Sequence, residues 1–246
     1  MCGCAFPALI AIITIFFASG ASGFGGSLIS VGILILLILF GVMMTLLVSK
    51  LLSKTLLKGE TSSFPLELPP YRRPQIGKIL IRSLLDRTVF VLGRAVTAAA
   101  PAGLIIWLAA NICIGGESIL SICSGALDPF ARIFGMDGVI LLAFILGFPA
   151  NEIVIPIMLM GYLSSGVMTD YESLDSLKGI LLANGWTPVT AVCVLIFMLC
   201  HYPCSTSLMT MKKETGSVKW TLLGAALPTA AGLILCAAVN LIGKIF

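Results

Sequence analysis

Long apolar runs separated by short polar breaks dominate the chain. Leu28–Val48 is apolar or small apart from Ser30 and Thr45. As one helix such a run spans a hydrocarbon core of about 30 Å. Met1–Phe17, Val89–Ile112 and Thr221–Ile242 are further apolar runs, the second carrying Pro101 and Trp107 and the third Pro228. Two others are interrupted. Val139–Leu146 and Ile153–Tyr162 flank Gly147-Phe148-Pro149-Ala150-Asn151-Glu152, and Val189–Cys200 runs into His201-Tyr202-Pro203-Cys204-Ser205. No strand pattern emerges. The pattern predicts an all-α fold: a polytopic transmembrane helical bundle with about four or five crossings and one or two broken or re-entrant helices.

The breaks matter because of the solvent. Hydrocarbon cannot bond free backbone groups, and proline removes one N–H and strands the carbonyl four residues earlier. Such a defect is tolerated only where protein or a water-filled cavity covers it. An ionisable group there costs roughly 2.5–3.5 kcal/mol on insertion scales. Glu152 beside Pro149 and Cys204 beside Pro203 are therefore expected to face an interior pathway.

The polar linkers orient the chain. Ser49–Thr88 carries Lys50, Lys54, Lys58, Arg72, Arg73, Lys78, Arg82 and Arg87 against Glu60, Glu67 and Asp86, so the positive-inside rule predicts it to be cytoplasmic. Its middle, Phe64–Pro74, is too rich in proline to be helical. Gln75–Arg87 reads either as an amphipathic helix on the inner leaflet or as a solvated linker. Met211–Trp220, with Lys212, Lys213 and Lys219, is also expected inside. Ile114–Asp137 and Ser164–Thr187 carry mostly acids and read as extracytoplasmic. With both its flanks outside, Val139–Tyr162 is a re-entrant hairpin with its tip at Pro149–Glu152; with one flank inside it is a broken span. The charges favour the hairpin.

Composition agrees with a membrane protein. The 246 residues are 59% hydrophobic and 11% charged, with a mean hydropathy of +1.11, against about 25% charged residues in soluble domains. No basic segment precedes the first apolar run, so no cleavable signal is expected. The 8 cysteines lie mostly inside apolar runs, where a thiol packs as a small hydrophobe. No paired CxxC framework occurs, and Cys2-Gly3-Cys4 alone is a weak signal. One histidine, no HExxH and no GxSxG leave no constellation for an intramembrane enzyme. Nothing points to nucleic acid.

Pathway chemistry concentrates at the two breaks. Asn151 and Glu152, with carbonyls freed by Pro149 and Pro156, offer hard oxygen ligands for a cation; the alternative is a polar plug bonded to a neighbouring helix. Cys204 and His201, around Pro203, offer a thiol and an imidazole beside free carbonyls, a donor set for borderline divalent metals. The alternative makes Cys204 a filler and His201 an interfacial residue. Cys2 and Cys4 precede Pro7 in a similar context. Cys113, Cys123, Cys193, Cys200 and Cys236 read as structural. Ser205, Thr206 and Ser207 read as backbone caps first and pathway hydroxyls second.

At these residues the sequence resembles a known family. Gly147–Ile153, the linker Leu66–Arg72, Arg94 through Pro101-Ala102-Gly103, and Tyr202-Pro203-Cys204 with Lys213–Ser217 are similar, in order, to the C-terminal membrane region of the FeoB family of prokaryotic ferrous iron transporters. The resemblance implies that residues 1–17 end a first Gate-like region. It assigns 18–88 to a central membrane segment with a basic cytoplasmic linker, and 89–246 to a second Gate-like transmembrane domain. It matches Cys2 and Cys204 to the family's membrane cysteines and Glu152 to the acid of its second Gate motif.

The same resemblance implies a multi-pass permease in a bacterial inner membrane, with Fe2+ as transported substrate and no permanently bound cofactor. The family's GTPase domain has a GxxxxGK[ST] loop; Lys58-Gly59-Glu60-Thr61 lacks that spacing. The chain is thus expected to be a C-terminal part of such a protein, from a split gene, a truncated frame or a fragment. It is not expected to be an enzyme itself, but to work with a separately supplied GTPase domain or chain, and as a possible homo-oligomer. Alternatives are a permease for another divalent metal or a nucleoside-like solute, or a non-transporting subunit that anchors a GTPase.

Overall fold

The computed structural model describes residues 6–18, 24–55, 77, 81–82, 84–167 and 173–245. Cys2 and Cys4, the middle of the basic linker and most of Gln75–Arg87 lie outside the described residues.

Among the described residues the fold is helical apart from one minimal hairpin. In chain order come α1 (Phe6–Ile13), extended by a π turn over Thr14–Ala18, α2 (Phe24–Thr55) and α3 (Phe90–Asn111). Two two-residue strands, Cys113–Ile114 and Glu117–Ser118, pair antiparallel through positive-φ Gly115 and Gly116, a detail the apolar pattern does not carry. Then follow α4 (Ile119–Ala131), α5 (Gly138–Leu146), α6 (Val154–Leu163), α7 (Leu174–Ala183), α8 (Pro188–Cys200), α9 (Ser205–Thr215) and α10 (Val218–Ile245).

Local sequence sets several helix starts. Ser118, Asp137, Ser173 and Thr187 each accept a backbone N–H three residues on, at the N-termini of α4, α5, α7 and α8. These side chains satisfy donors that a helix cannot pair internally. Pro188 opens α8 where its missing N–H costs nothing. Gly216 ends α9 in the left-handed conformation at φ 62°.

Burial separates the elements into a centre and a periphery. The buried core is built from α1, α5, α6 and α8, with Ile13, Ile140, Ala143, Val194 and Cys193 completely inside. By contrast, α2 exposes Leu36, Leu39, Met43 and Leu46, and α10 exposes Leu222 and Ile234. Apolar side chains left outside all along a helix are what a lipid solvent demands. Among the described residues three helical stretches are long and apolar enough to cross a membrane: Gly25–Lys54, Pro188–Thr215 and Val218–Ile245. The bend of 103° between Ile119–Phe134 and Gly138–Leu146 makes that pair a broken or re-entrant element. The architecture is an all-α transmembrane bundle.

Two glycines permit this packing. A Cβ on Gly138 would stand 1.9 Å from the carbonyl oxygen of Ser124, so α4 and α5 meet backbone to backbone. A Cβ on Gly147 would stand 2.5 Å from Val154 Cγ2, where the chain turns from α5 toward α6. Small residues at such crossings give close van der Waals packing, the main attraction between helices in lipid. Elsewhere α8 lies along α10, where Cys193 and Cys236, both fully buried, each donate a thiol bond to the other's backbone carbonyl. Those two cysteines are packing groups, as expected.

The Val139–Tyr162 stretch is a hairpin. The Tyr162 hydroxyl donates to Asp137 Oδ2, and Trp186 Nε1 donates to the Tyr162 oxygen at 2.8 Å. The end of α6 thus returns to the start of α5, and the tip lies at residues 147–153.

Candidate functional site

Each break has a local cause. Pro149 has no N–H, and Ala150 is extended at φ −151°, ψ 119° before a 3-10 turn over Asn151–Ile153 leads into α6. At the other break the His201 N–H still bonds Phe197 O at 2.7 Å, but the residue turns extended at ψ 172°. Pro203 cannot continue the ladder, and α9 restarts at Ser205.

The two breaks then satisfy one another. Ser205 N–H donates to Phe148 O at 3.0 Å, the Ser205 hydroxyl to Pro149 O at 3.2 Å, and the Tyr202 hydroxyl to Phe144 O. An unpaired N–H at the start of α9 and carbonyls stranded at the end of α5 are the groups a lipid-embedded chain must cover. Rings reinforce the junction: Phe144 is T-shaped on Phe197 at 4.7 Å, and Phe148 tilts on Tyr202 at 5.5 Å.

The backbone carbonyls around Pro149 have partners. The carbonyl that Pro149 strands, Ile145 O, accepts from Phe148 N at 3.3 Å, and those of Phe144, Phe148 and Pro149 are bonded to the other break. The carbonyls therefore hold the junction together. Nor do the three hydroxyls act as caps. Ser205 is a strut to Pro149, while Thr206 Oγ1 and Ser207 Oγ stand 3.1 and 3.3 Å from Cys204 Sγ. Cys204 is buried at the N-terminal boundary of α9 with no side-chain capping bond.

The remaining candidates divide. Asn151 is buried, and its Oδ1 has no partner. Glu152, next to it, is exposed. His201 is buried between the rings of Phe144, Phe197 and Tyr202. Its Nδ1 lies 3.0 Å from both Phe197 O and Met198 O. A carbonyl only accepts, so Nδ1 carries the proton and, in the neutral ring, Nε2 keeps its lone pair. That Nε2 also has no partner.

Asn151 and His201 share a cavity of about 490 Å³, walled by α2 through Thr45 and Ser49, by Met198–Pro203, and by α10 through Gly224 and Pro228. Pro203 is in its wall; Glu152, Cys204 and Pro149 are not. Cys200, which reads as structural in the sequence, is also in the wall. Sequence reasoning missed α2's contribution, although Thr45 is one of only two polar residues in Leu28–Val48. A second space of about 780 Å³ lies at the opposite end of α8, lined by Arg132, Asp137, Asn184, Thr187, Asn240 and Lys244 among others. Among the described residues no group of three or more His, Cys, Asp or Glu side chains converges. What the breaks can offer an ion is thus a sparse, mixed set of donors.

Residues 34–86 match the family described as Ferrous iron transport protein B C terminus. The chain is 31% identical over 218 residues to Fe(2+) transporter FeoB of Staphylococcus aureus (strain COL), covering 85% of this chain and 31% of that protein. It is 26% identical over 235 residues to the Campylobacter jejuni protein of the same name, covering 90% of this chain and 36% of the relative. With Fe(2+) transporter FeoB of Methanocaldococcus jannaschii it shares 25% over 239 residues, covering 90% and 34%. The chain thus spans about a third of the length of the curated relatives it matches. No solved structure matches. With its broken helices, its apolar periphery and these relatives along most of its length, the chain is a FeoB-like C-terminal membrane region.

Proposed function

We propose that this chain is the permease portion of a ferrous iron uptake system in a bacterial inner membrane. Fe2+ is its transported substrate. The observation that carries this reading is the junction of the two helix breaks. There a buried thiol, Cys204, sits within 3.3 Å of two hydroxyls, and a buried amide and imidazole wall a neighbouring cavity. Thiol and imidazole are donors that suit a borderline divalent ion such as Fe2+, here on neighbouring parts of one junction. The relatives' name, Fe(2+) transporter FeoB, supports the same substrate.

In this reading Glu152 is an exposed carboxylate that concentrates cations beside the junction, and Cys204 is a donor within it. Pro149 and Pro203 create the breaks, and Ser205 ties one to the other. The domain division at residues 17 and 88, the cytoplasmic placement of the basic linker, and a candidate role for Cys2 belong to this proposal. So does a GTPase domain or chain, supplied separately, as the partner that gates transport.

The test is iron accumulation in cells lacking ferrous uptake of their own. They express this chain together with a GTPase domain of the same family. Accumulation of radioactive Fe2+ above cells carrying the GTPase domain alone is the expected result. Accumulation no higher than that control, with folded chain present in the membrane, overturns the proposal.

A further inference from the structure

One end of the bundle gathers lysines from three helices. Phe16, in the π turn before α2, stacks at 5.8 Å on Trp186, just ahead of the start of α8. α2 packs on that π turn and begins five residues after it. Its later part, Gly41–Leu52, walls the same cavity as Met198–Pro203 at the other end of α8. The two helices therefore run in the same direction. α10 runs back: Cys236 bonds Cys193, and a Cβ on Gly232 would stand 3.0 Å from Cys200 Cβ. A Cβ on Gly224 would stand 2.6 Å from Met211 Sδ, so the last turn of α9 lies beside the first turns of α10. Lys50 and Lys54 of α2, Lys212 and Lys213 of α9 and Lys219 of α10 thus share the end away from Trp186, and all five are exposed. Against them these helix ends carry one acid, Glu214.

The cavity of about 490 Å³ reaches toward that end, because Ser49 and Leu52 line it beside Lys50 and Lys54. Its walls are mainly apolar, with Met44, Val48 and Leu52 from α2, Leu199 from α8, and Leu227 and Ala231 from α10. The Thr45 hydroxyl donates to Gly41 O at 2.8 Å, so it is satisfied within its own helix. Thr45 and Ser49 line the cavity and are nevertheless exposed, so the space is a groove open beside α2. In a membrane the medium at that opening is lipid. An apolar groove left empty forfeits the dispersion contacts of its lining.

We propose that this groove seats one acyl chain of an anionic phospholipid, whose phosphate is held by the lysines at its end. The groove supplies apolar contacts that any lipid makes. The lysines supply the selection, since a basic cluster beside the membrane attracts anionic headgroups over zwitterionic ones. Cys204 and Glu152 are outside the groove wall, so the lipid site stands or falls apart from the iron reading.

The test uses the full chain in vesicles of equal phosphatidylglycerol and phosphatidylcholine, with a trace of either lipid carrying a diazirine in its acyl chain. After illumination, marked residues are mapped by mass spectrometry. The phosphatidylglycerol probe is expected to mark Met44–Leu52 and Leu227–Ala231 about fivefold more than the phosphatidylcholine probe does. Lys50→Gln combined with Lys54→Gln and Lys219→Gln is expected to make the two probes equal there. Ala231→Phe, with Thr45→Phe as a second variant should the first fold poorly, is expected to fill the groove and remove its marking. Equal marking by both probes in the unaltered chain overturns the proposal. So does groove marking no denser than that of Leu36, Leu39 and Leu46 on the exposed face of α2, or a phosphatidylglycerol preference that survives the lysine substitutions.

Discussion

The hydroxyl of Ser205 donates to the backbone carbonyl of Pro149 at 3.2 Å, joining two helix breaks that are 56 residues apart in the chain. In lipid neither partner has water to fall back on. This bond, with Ser205 N–H on Phe148 O, makes the junction one structural unit.

Ser205→Ala is expected to destabilise the folded chain by about 1–2 kcal/mol, because the Pro149 carbonyl loses its hydroxyl donor while the backbone bond to Phe148 remains. Thermal unfolding in detergent, followed by helicity, measures this. Stability equal to wild type would mean that the hydroxyl bond contributes nothing.

Gly138→Ala is expected to cost about 1–3 kcal/mol or more, since the new methyl group must displace backbone at Ser124. Gly125→Ala, in α4 with nothing within 4 Å of the added carbon, is expected to be neutral or to stabilise by up to about 1 kcal/mol. Yields of monodisperse protein and melting temperatures of the two variants should therefore move apart. Equal behaviour would contradict the close contact between α4 and α5.

The hairpin requires Ile133 and Ser165 to face the same side of the membrane. Single cysteines at these positions, in a background with Cys113 and Cys123 replaced by serine, should both react with an impermeant reagent applied from outside intact cells. A cysteine at Ser217 should remain unlabelled. Labelling of Ile133→Cys and Ser165→Cys from opposite sides would make Val139–Tyr162 a crossing.

Glu152→Gln removes the charge and keeps the shape; Cys204→Ser keeps a small polar group and loses the soft donor. Each is expected to lower iron accumulation several-fold per folded molecule, roughly the effect of a kcal/mol in binding or passage, without lowering protein abundance. Reduced abundance with normal accumulation per molecule is the pattern of a packing role, and it would remove these residues from the pathway.

Much of the fold could be read before any coordinates. Proline without an N–H strands a carbonyl and disfavours a continuous helix, so Pro149 and Pro203 could be read as sites of interruption, while Pro101, Pro129 and Pro228 sit inside helices that continue through them. Lipid accepts only long apolar runs, so Leu28–Val48 and Thr221–Ile242 read directly as helices.

Other features depended on distance through the chain. Helical periodicity does not carry across a break, so nothing in the one-dimensional pattern tells Asn151, buried on the cavity wall, from Glu152, exposed beside it. The hairpin rests on Tyr162 meeting Asp137, 25 residues earlier. The engagement of the stranded carbonyls rests on Tyr202 and Ser205 reaching Phe144, Phe148 and Pro149. The Cys200 and Thr45 positions gain meaning only from the cavity they share with His201. Sequence by itself determined which runs are long and apolar enough for lipid and where a break is favoured, because those are local consequences of hydrophobicity, hydrogen bonding and proline. Only the tertiary structure decided which unpaired groups satisfy one another and which keep no partner, because that choice belongs to packing between segments.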